Sequence, residues 1–249
     1  MIRLSKRLQQ IANLVPKHGK LADIGSDHAL LPTYLIQLGK IDYAVAGEVN
    51  AGPFAAAQKQ IKEAGVSAQV SVRQGNGLEV VEAGEIDVVI IAGMGGSLIT
   101  DILEAGLEKL IGVKRLILQP NVAEERVRRW LNQHHWFVEE EYIVEEDGQI
   151  YEIISAVRMD NRFSDQYQVE TIQDCEISAD LKFMFGPILI HKADDVFFEK
   201  WKQEMKKIER VIEQLRNSEL QSSLDKQMIF REQKEQVEEV LDCLQKVKP

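Results

Sequence analysis

Five short segments carry the residue types that could do chemistry, and each follows an apolar run: DIGSDHAL at 23–30, GEVN at 47–50, RQGNG at 73–77, AGMGG at 92–96 and LQPN at 118–121. In the first, Gly25 lets a ligand approach the backbone closely, and Asp23 and Asp27 flank it with carboxylates. A dinucleotide loop would place further glycines where Ser26, Asp27, His28 and Ala29 stand, so that a pyrophosphate could reach a helix N-terminus. An acid at 27 repels a pyrophosphate and favours a ligand with a cationic end, such as an ammonium beside a sulfonium. Asp27 also has the residue type of a helix N-cap, and the two roles are compatible. Glu48, 23 residues after Gly25, has the placement of an acid that accepts hydrogen bonds from ribose hydroxyls. Asn76 and Gly77 suit either the border of an adenine pocket or a simple tight turn. Gly93, Gly95 and Gly96 surround Met94 in a loop without acid or aromatic residues. That loop is expected to face a ligand with its backbone amides and carbonyls, and Gln119 and Asn121 complete the row.

The elements that must position these residues can be read from hydrophobic pattern. Apolar, β-branched runs at 21–24, 43–46, 70–73, 87–92 and 115–119 predict strands, with helical patterns between them at 53–64 and 98–109. Strand–helix alternation predicts a parallel sheet covered on both faces. After a helix at 123–134 the pattern changes to WFVEEEYIV, EEDGQ and IYEIISAVR, two strands joined by an Asp-Gly turn. A mostly parallel Rossmann-like sheet that ends in an antiparallel hairpin is the layout of class I S-adenosylmethionine methyltransferases. NAD-binding domains usually close with another parallel strand. The polar stretch 159–166 marks a boundary, giving a catalytic α/β domain over 1–160 and a helical domain over 161–249. In the latter, Phe198, Trp201, Met205, Ile208, Ile212 and Leu215 form a heptad seam. A second helix carries Phe230, Val237, Leu241 and Leu244, with Lys234 interrupting its seam. Two long helices with a short connection predict an antiparallel coiled coil, a helical cap on the main domain being the alternative.

Composition sets the outer bounds. A net charge of -10 argues against bulk capture of nucleic acid. Yet Arg3, Lys6, Arg7, Lys17 and Lys20 all precede the first acid, Asp23, leaving a basic segment that is either a solvated helix face or a phosphate-contacting patch. No apolar run approaches the roughly 20 residues that span a bilayer. Cys175 and Cys243 match no zinc or redox spacing and are expected to be reduced thiols of a cytoplasmic protein without a bound metal.

The segments ADIGSDHALLP, AGEVNAGPF, RQGNGLEVV, IAGMGG and RLILQPN, with the RLSKRLQQIA start and the EEDGQIYEII hairpin, closely resemble the bacterial tRNA adenine-22 N1-methyltransferase family. The C-terminal FGPILI followed by paired helices is similar to that family's second part. The resemblance implies S-adenosylmethionine as cofactor, S-adenosylhomocysteine as its product, and tRNA as substrate. Cofactor contacts are then expected at Asp23, Gly25, Ser26, Glu48, Val49, Asn76, Gly77, Gly93 and Met94. Asp27 and His28 are the expected catalytic pair, with tRNA contacts at Arg3, Lys6, Arg7, Gly95, Gly96, Gln119 and Asn121. Lys202, Lys206, Lys207 and Arg210 form a second basic candidate for tRNA contact. The chain departs from the family at Asn76, where members commonly carry Asp; Asn keeps the acceptor oxygen and loses the charge. A monomer is expected, with the coiled coil as the surface through which a dimer would form. The competing readings are a methyltransferase for another substrate, an NAD(P)-dependent oxidoreductase and a non-catalytic cofactor-sensing adaptor.

Overall fold

The computed structural model describes residues 2–159, 165–172, 175–216 and 221–245. The chain divides into two compact units, Met1–Gln166 and Tyr167–Pro249. Residues 160–164, where the sequence places a boundary, lie outside the described residues. Gln166 belongs to the first unit because its side-chain amide serves both backbone groups of Val138, accepting from the N–H at 3.0 Å and donating to the carbonyl at 2.6 Å.

The first unit contains, in order, α1 (Lys6–Leu14), β1 (Gly19–Ile24), α2 (Leu30–Gln37), β2 (Ile41–Glu48), α3 (Ala51–Glu63), β3 (Val70–Gln74), β4 (Val88–Met94), α4 (Gly96–Ala105), β5 (Arg115–Pro120), α5 (Glu124–Gln133), β6 (Trp136–Glu146) and β7 (Gln149–Arg158). They form one seven-stranded sheet in the order β3-β2-β1-β4-β5-β7-β6. β1 to β5 pair in parallel, whereas β7 pairs antiparallel with both β5 and β6. Val88, Val89, Ile90 and Ile91 are all buried, as a strand covered on both faces requires. The hairpin turns at Asp147 and Gly148, both at positive φ (51° and 74°), the geometry that a two-residue Asp-Gly turn provides. α4 stops earlier than the helical pattern at 98–109 predicts. The Gly106 N–H closes on the Ile102 carbonyl at 3.2 Å, and a Cβ at 106 would meet the Leu78 side chain. A short 3-10 turn, Leu107–Leu110, follows.

Two features of this topology place the site. β1 lies between β2 and β4, so the strand order reverses at its carboxyl end and opens a crevice there. α1, capped by the Ser5 hydroxyl accepting from Leu8 N–H at 3.2 Å, buries Ile11, Ala12 and Leu14 in the core and holds Arg7 at the rim. A buried ion cluster ties α5 to the hairpin. The Arg128 Nε donates to Glu141 at 2.7 Å and its Nη2 to Glu152, with all three side chains at 0% exposure.

The second unit contains β8 (Glu170–Ile172), β9 (Cys175–Ile177), α6 (Ala179–Phe185), α7 (Leu189–Lys192), α8 (Asp195–Arg216) and α9 (Gln221–Gln245). α8 and α9 run antiparallel, since Glu209 in α8 pairs with Lys234 in α9 at 2.9 Å and the start of α8 shares a groove with the end of α9. Trp201, Ile208 and Ile212 are buried along the predicted seam, as are Val237 and Leu244 on α9. At the seam's start the deeply buried ring is Phe197, with Phe198 half-buried. Lys234, which interrupts the seam, is satisfied by Glu209 and by Glu238 at 3.3 Å. The expectation of reduced thiols is corrected here: Cys175 on β9 and Cys243 on α9 form a disulfide with a Cα–Cα separation of 6.3 Å. Strand and helix pack in one unit and bring the thiols into bonding range, although 68 residues separate them in sequence. Thiol titration of the denatured protein, purified without reductant, is expected to find no free thiol, and two would show that the pair stays reduced.

Candidate active site

At the carboxyl ends of β1 and β4 lies a cavity of about 270 Å³. The sequence-predicted residues Asp23, Gly25, Ser26, Asp27, Gly93 and Met94 line it, together with Arg7 and a floor of Leu8, Leu30, Leu31 and Ala92. The loop from Gly25 onward is anchored to β2, its Gly25 and Ser26 amides donating to the Gly47 carbonyl at 2.9 and 3.3 Å. Gly25 has φ 70°, and any side chain there would collide with the terminal methyl of Met94. Glycine is needed here for both conformation and space.

The acids divide by burial. Asp23 is 5% exposed and accepts from the Ser26 hydroxyl at 2.5 Å. Burial pushes its carboxyl up to about 7; the Ser26 hydrogen bond opposes this, and the charges of Glu48 and Asp27 add to it. Glu48, at the end of β2, is 7% exposed and its Oε1 has no hydrogen-bond partner. Its pKa is also raised, chiefly by burial, and is drawn back by the backbone amides of Asp27 and His28. An orphaned buried carboxylate oxygen at this strand end is what a pair of ribose hydroxyls would satisfy. Asp27 is exposed, with its Oδ1 3.4 Å from His28 Nε2.

Asp27 does not cap α2. Asp27, His28 and Ala29 all have positive φ (44°, 68° and 55°), and α2 starts only at Leu30, with Ala29 as a cap residue that makes no side-chain bond. Three successive non-glycine residues in the left-handed region store strain of the kind found at binding sites. This conformation aims the 27 and 28 amides at Glu48 and leaves the Asp27 carboxylate exposed at the cavity mouth beside His28.

On the neighbouring strand ends, Val49 is exposed beside Glu48. Asn76 is exposed too, its backbone N–H held by the Glu79 carboxylate at 3.1 Å. Gly77 has φ 56° and faces Ile102 too closely for a side chain. The tight turn is therefore real, and it leaves Asn76 exposed just beyond the carboxyl end of β3.

The glycine loop does not offer its backbone in the way the sequence suggests. Gly93 N–H donates to Gln119 Oε1 at 3.0 Å, and Asn121 Nδ2 donates to the Gly93 carbonyl at 2.9 Å. Asn121 N–H donates to the Met94 carbonyl at 2.7 Å, and Gly96 N–H to the Val122 carbonyl at 2.8 Å. Gln119, at 0% exposure, also donates to Asn121 Oδ1 at 3.0 Å. Gln119 and Asn121 are thus scaffolding that zips β4 to β5, and Gly96 has no side chain because one would strike Ala123. Arg3 and Lys6 are exposed. Arg7 is instead held at the cavity by a hydrogen bond to Gln119 and by the Tyr151 ring, 5.1 Å from the guanidinium carbon. Sequence reading missed Tyr151, because only the antiparallel hairpin carries it there.

Among the described residues no group of three or more His, Cys, Asp or Glu is gathered as a metal site. No helix among the described residues is long and apolar enough to cross a membrane.

A parallel sheet closed by an antiparallel hairpin, with acids lining its switch-point cavity, defines a class I methyltransferase. A family model described as tRNA (adenine(22)-N(1))-methyltransferase matches residues 21–239, and the chain belongs to that family. It is 43% identical over 214 residues to the tRNA (adenine(22)-N(1))-methyltransferase of Bacillus subtilis, covering 86% of each chain. The crystal structure of the B. subtilis M1A22 tRNA methyltransferase superposes with a TM-score of 0.87 at 39% identity, covering 96% of this chain and 99% of that one. The Streptococcus pneumoniae protein Sp1610, solved in complex with S-adenosyl-L-methionine, matches with a TM-score of 0.80 at 36% identity, over 96% and 100% of the two chains.

Proposed function

We propose that this protein transfers a methyl group from S-adenosylmethionine to N1 of adenine 22 in tRNA. The observation that carries the reading is the acid-lined cavity at the switch point of a chain that matches the family over 21–239. S-adenosylmethionine, when bound, supplies a methyl group already activated on a sulfonium. Asp23 suits the cationic end of such a ligand, Glu48 the ribose hydroxyls, and Val49 and Asn76 the adenine edge.

Adenine N1 carries an in-plane lone pair, so it needs no base to remove a proton before it attacks. The product is cationic. Alignment and a favourable field therefore matter more than general-base strength. Asp27, at the cavity mouth with His28 beside it, provides that field. N1 lies on the pairing edge of the base, so the target adenine must leave its stack to reach the cavity. Folded RNA is held through shape and phosphate contacts. Arg3 and Lys6 on the first unit serve this role, as do the exposed Lys202, Lys206 and Arg210 on α8. Lys207 is engaged by Glu204 at 2.6 Å and contributes less. A tRNA substrate favours the cytoplasm, and we read the protein as a monomer, with the coiled coil as the surface through which a dimer would form.

Labelled-methyl transfer to total bacterial tRNA, followed by nucleoside analysis, is expected to yield N1-methyladenosine. Absence of that nucleoside, with tight binding of NAD and none of S-adenosylmethionine, would return the protein to the oxidoreductases. Asp27→Ala is expected to lower turnover by about 100-fold, the low end of what a positioned catalytic group provides, while the protein stays folded. Near-wild-type turnover would remove Asp27 from the mechanism.

A further inference from the structure

Among the described residues of the first unit, the large apolar side chains left exposed are Leu38, Val49, Leu98, Leu107, Ile111 and Val122. Leu38, Leu107 and Ile111 follow helices and precede strands, so they lie at the amino edge of the sheet, away from the cavity. Val49, Leu98 and Val122 belong to the carboxyl edge, where open α/β sheets bind their ligands. Val49 already has a place beside the adenine edge of the cofactor. Leu98 shares a face of α4 with Ile102, which packs on Gly77, so it follows that same flank of the site. Val122 stands on the opposite flank, two residues beyond β5, and is 60% exposed.

The surrounding loop enforces that exposure. The Val122 carbonyl accepts from Gly96 N–H at 2.8 Å, and the preceding Asn121 N–H donates to the Met94 carbonyl at 2.7 Å. Ala123, the next residue, has φ 59°, a costly conformation for a residue with a side chain. Its carbonyl is held by Arg126 N–H at 3.1 Å, and Arg126 Nη1 donates to Ser97 Oγ at 3.2 Å, tying α5 to the first turn of α4. The valine side chain lies over Gly95, with Cγ2 3.7 Å from where a Cβ there would stand, and Met94 lines the cavity. Its β-branch leaves few rotamers open. The result is a stiff apolar side chain, turned to solvent beside the place where methyl transfer occurs.

A target adenine that leaves its stack uncovers the faces of the neighbouring bases, and an apolar wedge between base steps offsets that cost. We propose that Val122 is this wedge: it fills the gap left in the tRNA while the adenine occupies the cavity mouth. It touches RNA and not the cofactor. The assignment rests on tRNA being the substrate.

Two transcripts test it, identical except that in the second the nucleotide facing adenine 22 is abasic, so the target leaves its stack more cheaply. Val122→Ser is expected to lower kcat/KM about tenfold on the intact transcript, the worth of one modest stacking contact. On the abasic transcript the loss should stay below about threefold, close to the scatter for sites that do not interact. Val122→Ile should keep most of the wild-type rate on both, and calorimetry should find S-adenosylmethionine affinity unchanged in both variants. Ile111→Ser, an equally exposed position at the amino edge, should change nothing. Equal losses on the two transcripts would show that Val122 only shapes the loop, and no loss on either would make it an ordinary surface residue. Each result overturns the proposal, as would a parallel loss of S-adenosylmethionine affinity. If wild type methylates neither transcript, the functional reading itself fails, and this assignment falls with it.

Discussion

Asp23→Asn is expected to make the ligand-free protein more stable above pH 7 while removing most of its affinity for S-adenosylmethionine. The carboxyl is buried, and its pKa rises from 3.8 to about 7 through desolvation, against the Ser26 hydrogen bond and with help from Glu48 and Asp27. A group whose folded pKa is raised favours the folded state most below the unfolded pKa. Its contribution is then lost as pH climbs from about 4 to about 7, and stays constant above that. At about 1.4 kcal/mol per pH unit, the ionised carboxylate costs the ligand-free fold at most about 4 kcal/mol, with relaxation bringing this nearer 2. Asparagine escapes that cost and still accepts from Ser26. The gain should therefore appear in urea melts at pH 8 and vanish at pH 4; equal gains at both would refute the buried-charge account. A cationic ligand reverses the balance by favouring the ionised form. Affinity for S-adenosylmethionine should rise with pH by up to about tenfold per unit below 7 and flatten above. In Asp23→Asn both the affinity and its pH dependence should go.

Arg128→Ala is expected to cost about 3–5 kcal/mol, a large part of the roughly 5–15 kcal/mol that holds a domain folded. Arg128, Glu141 and Glu152 are each fully buried, and the guanidinium bonds both carboxylates. Removing it takes from two buried acids the guanidinium that both of them bond. The cluster joins α5 to β6 and β7, and α5 follows the 119–122 segment that zips the glycine loop, so the loss should also loosen the site. Replacing all three residues with apolar side chains of similar volume is expected to recover most of the stability, because burying three charged groups is itself costly. Equilibrium urea unfolding measures both. A loss below about 1 kcal/mol in Arg128→Ala would place the cluster among solvent-screened pairs.

Local pattern carried much of this architecture. The apolar run at 88–91 marked a strand covered on both faces, and Asp147–Gly148 marked the hairpin, because strand burial and turn φ values are properties of adjacent residues. The glycines at 25, 77, 93 and 96 were legible for the same reason. What could not be read were pairings across long separations. Arg7 meets Gln119 across 112 residues, and Cys175 meets Cys243 across 68. No spacing rule reaches either, and both appear only once strands and helices are packed. The first loop failed differently: Asp27 looks like a cap by residue type, but three left-handed residues delay α2 to Leu30. Backbone strain of that kind has no sequence signature without glycine. The missing glycines were still informative, since acids occupy the cavity where a pyrophosphate cradle would have been.

The central claim is most directly tested with two unmodified tRNA transcripts that differ only at position 22, one with adenine and one with guanine. Incubated with the purified protein and methyl-labelled S-adenosylmethionine, the adenine transcript is expected to take up one methyl group, recovered as N1-methyladenosine, and the guanine transcript none. Equal labelling of both, or labelling of neither, would contradict the account.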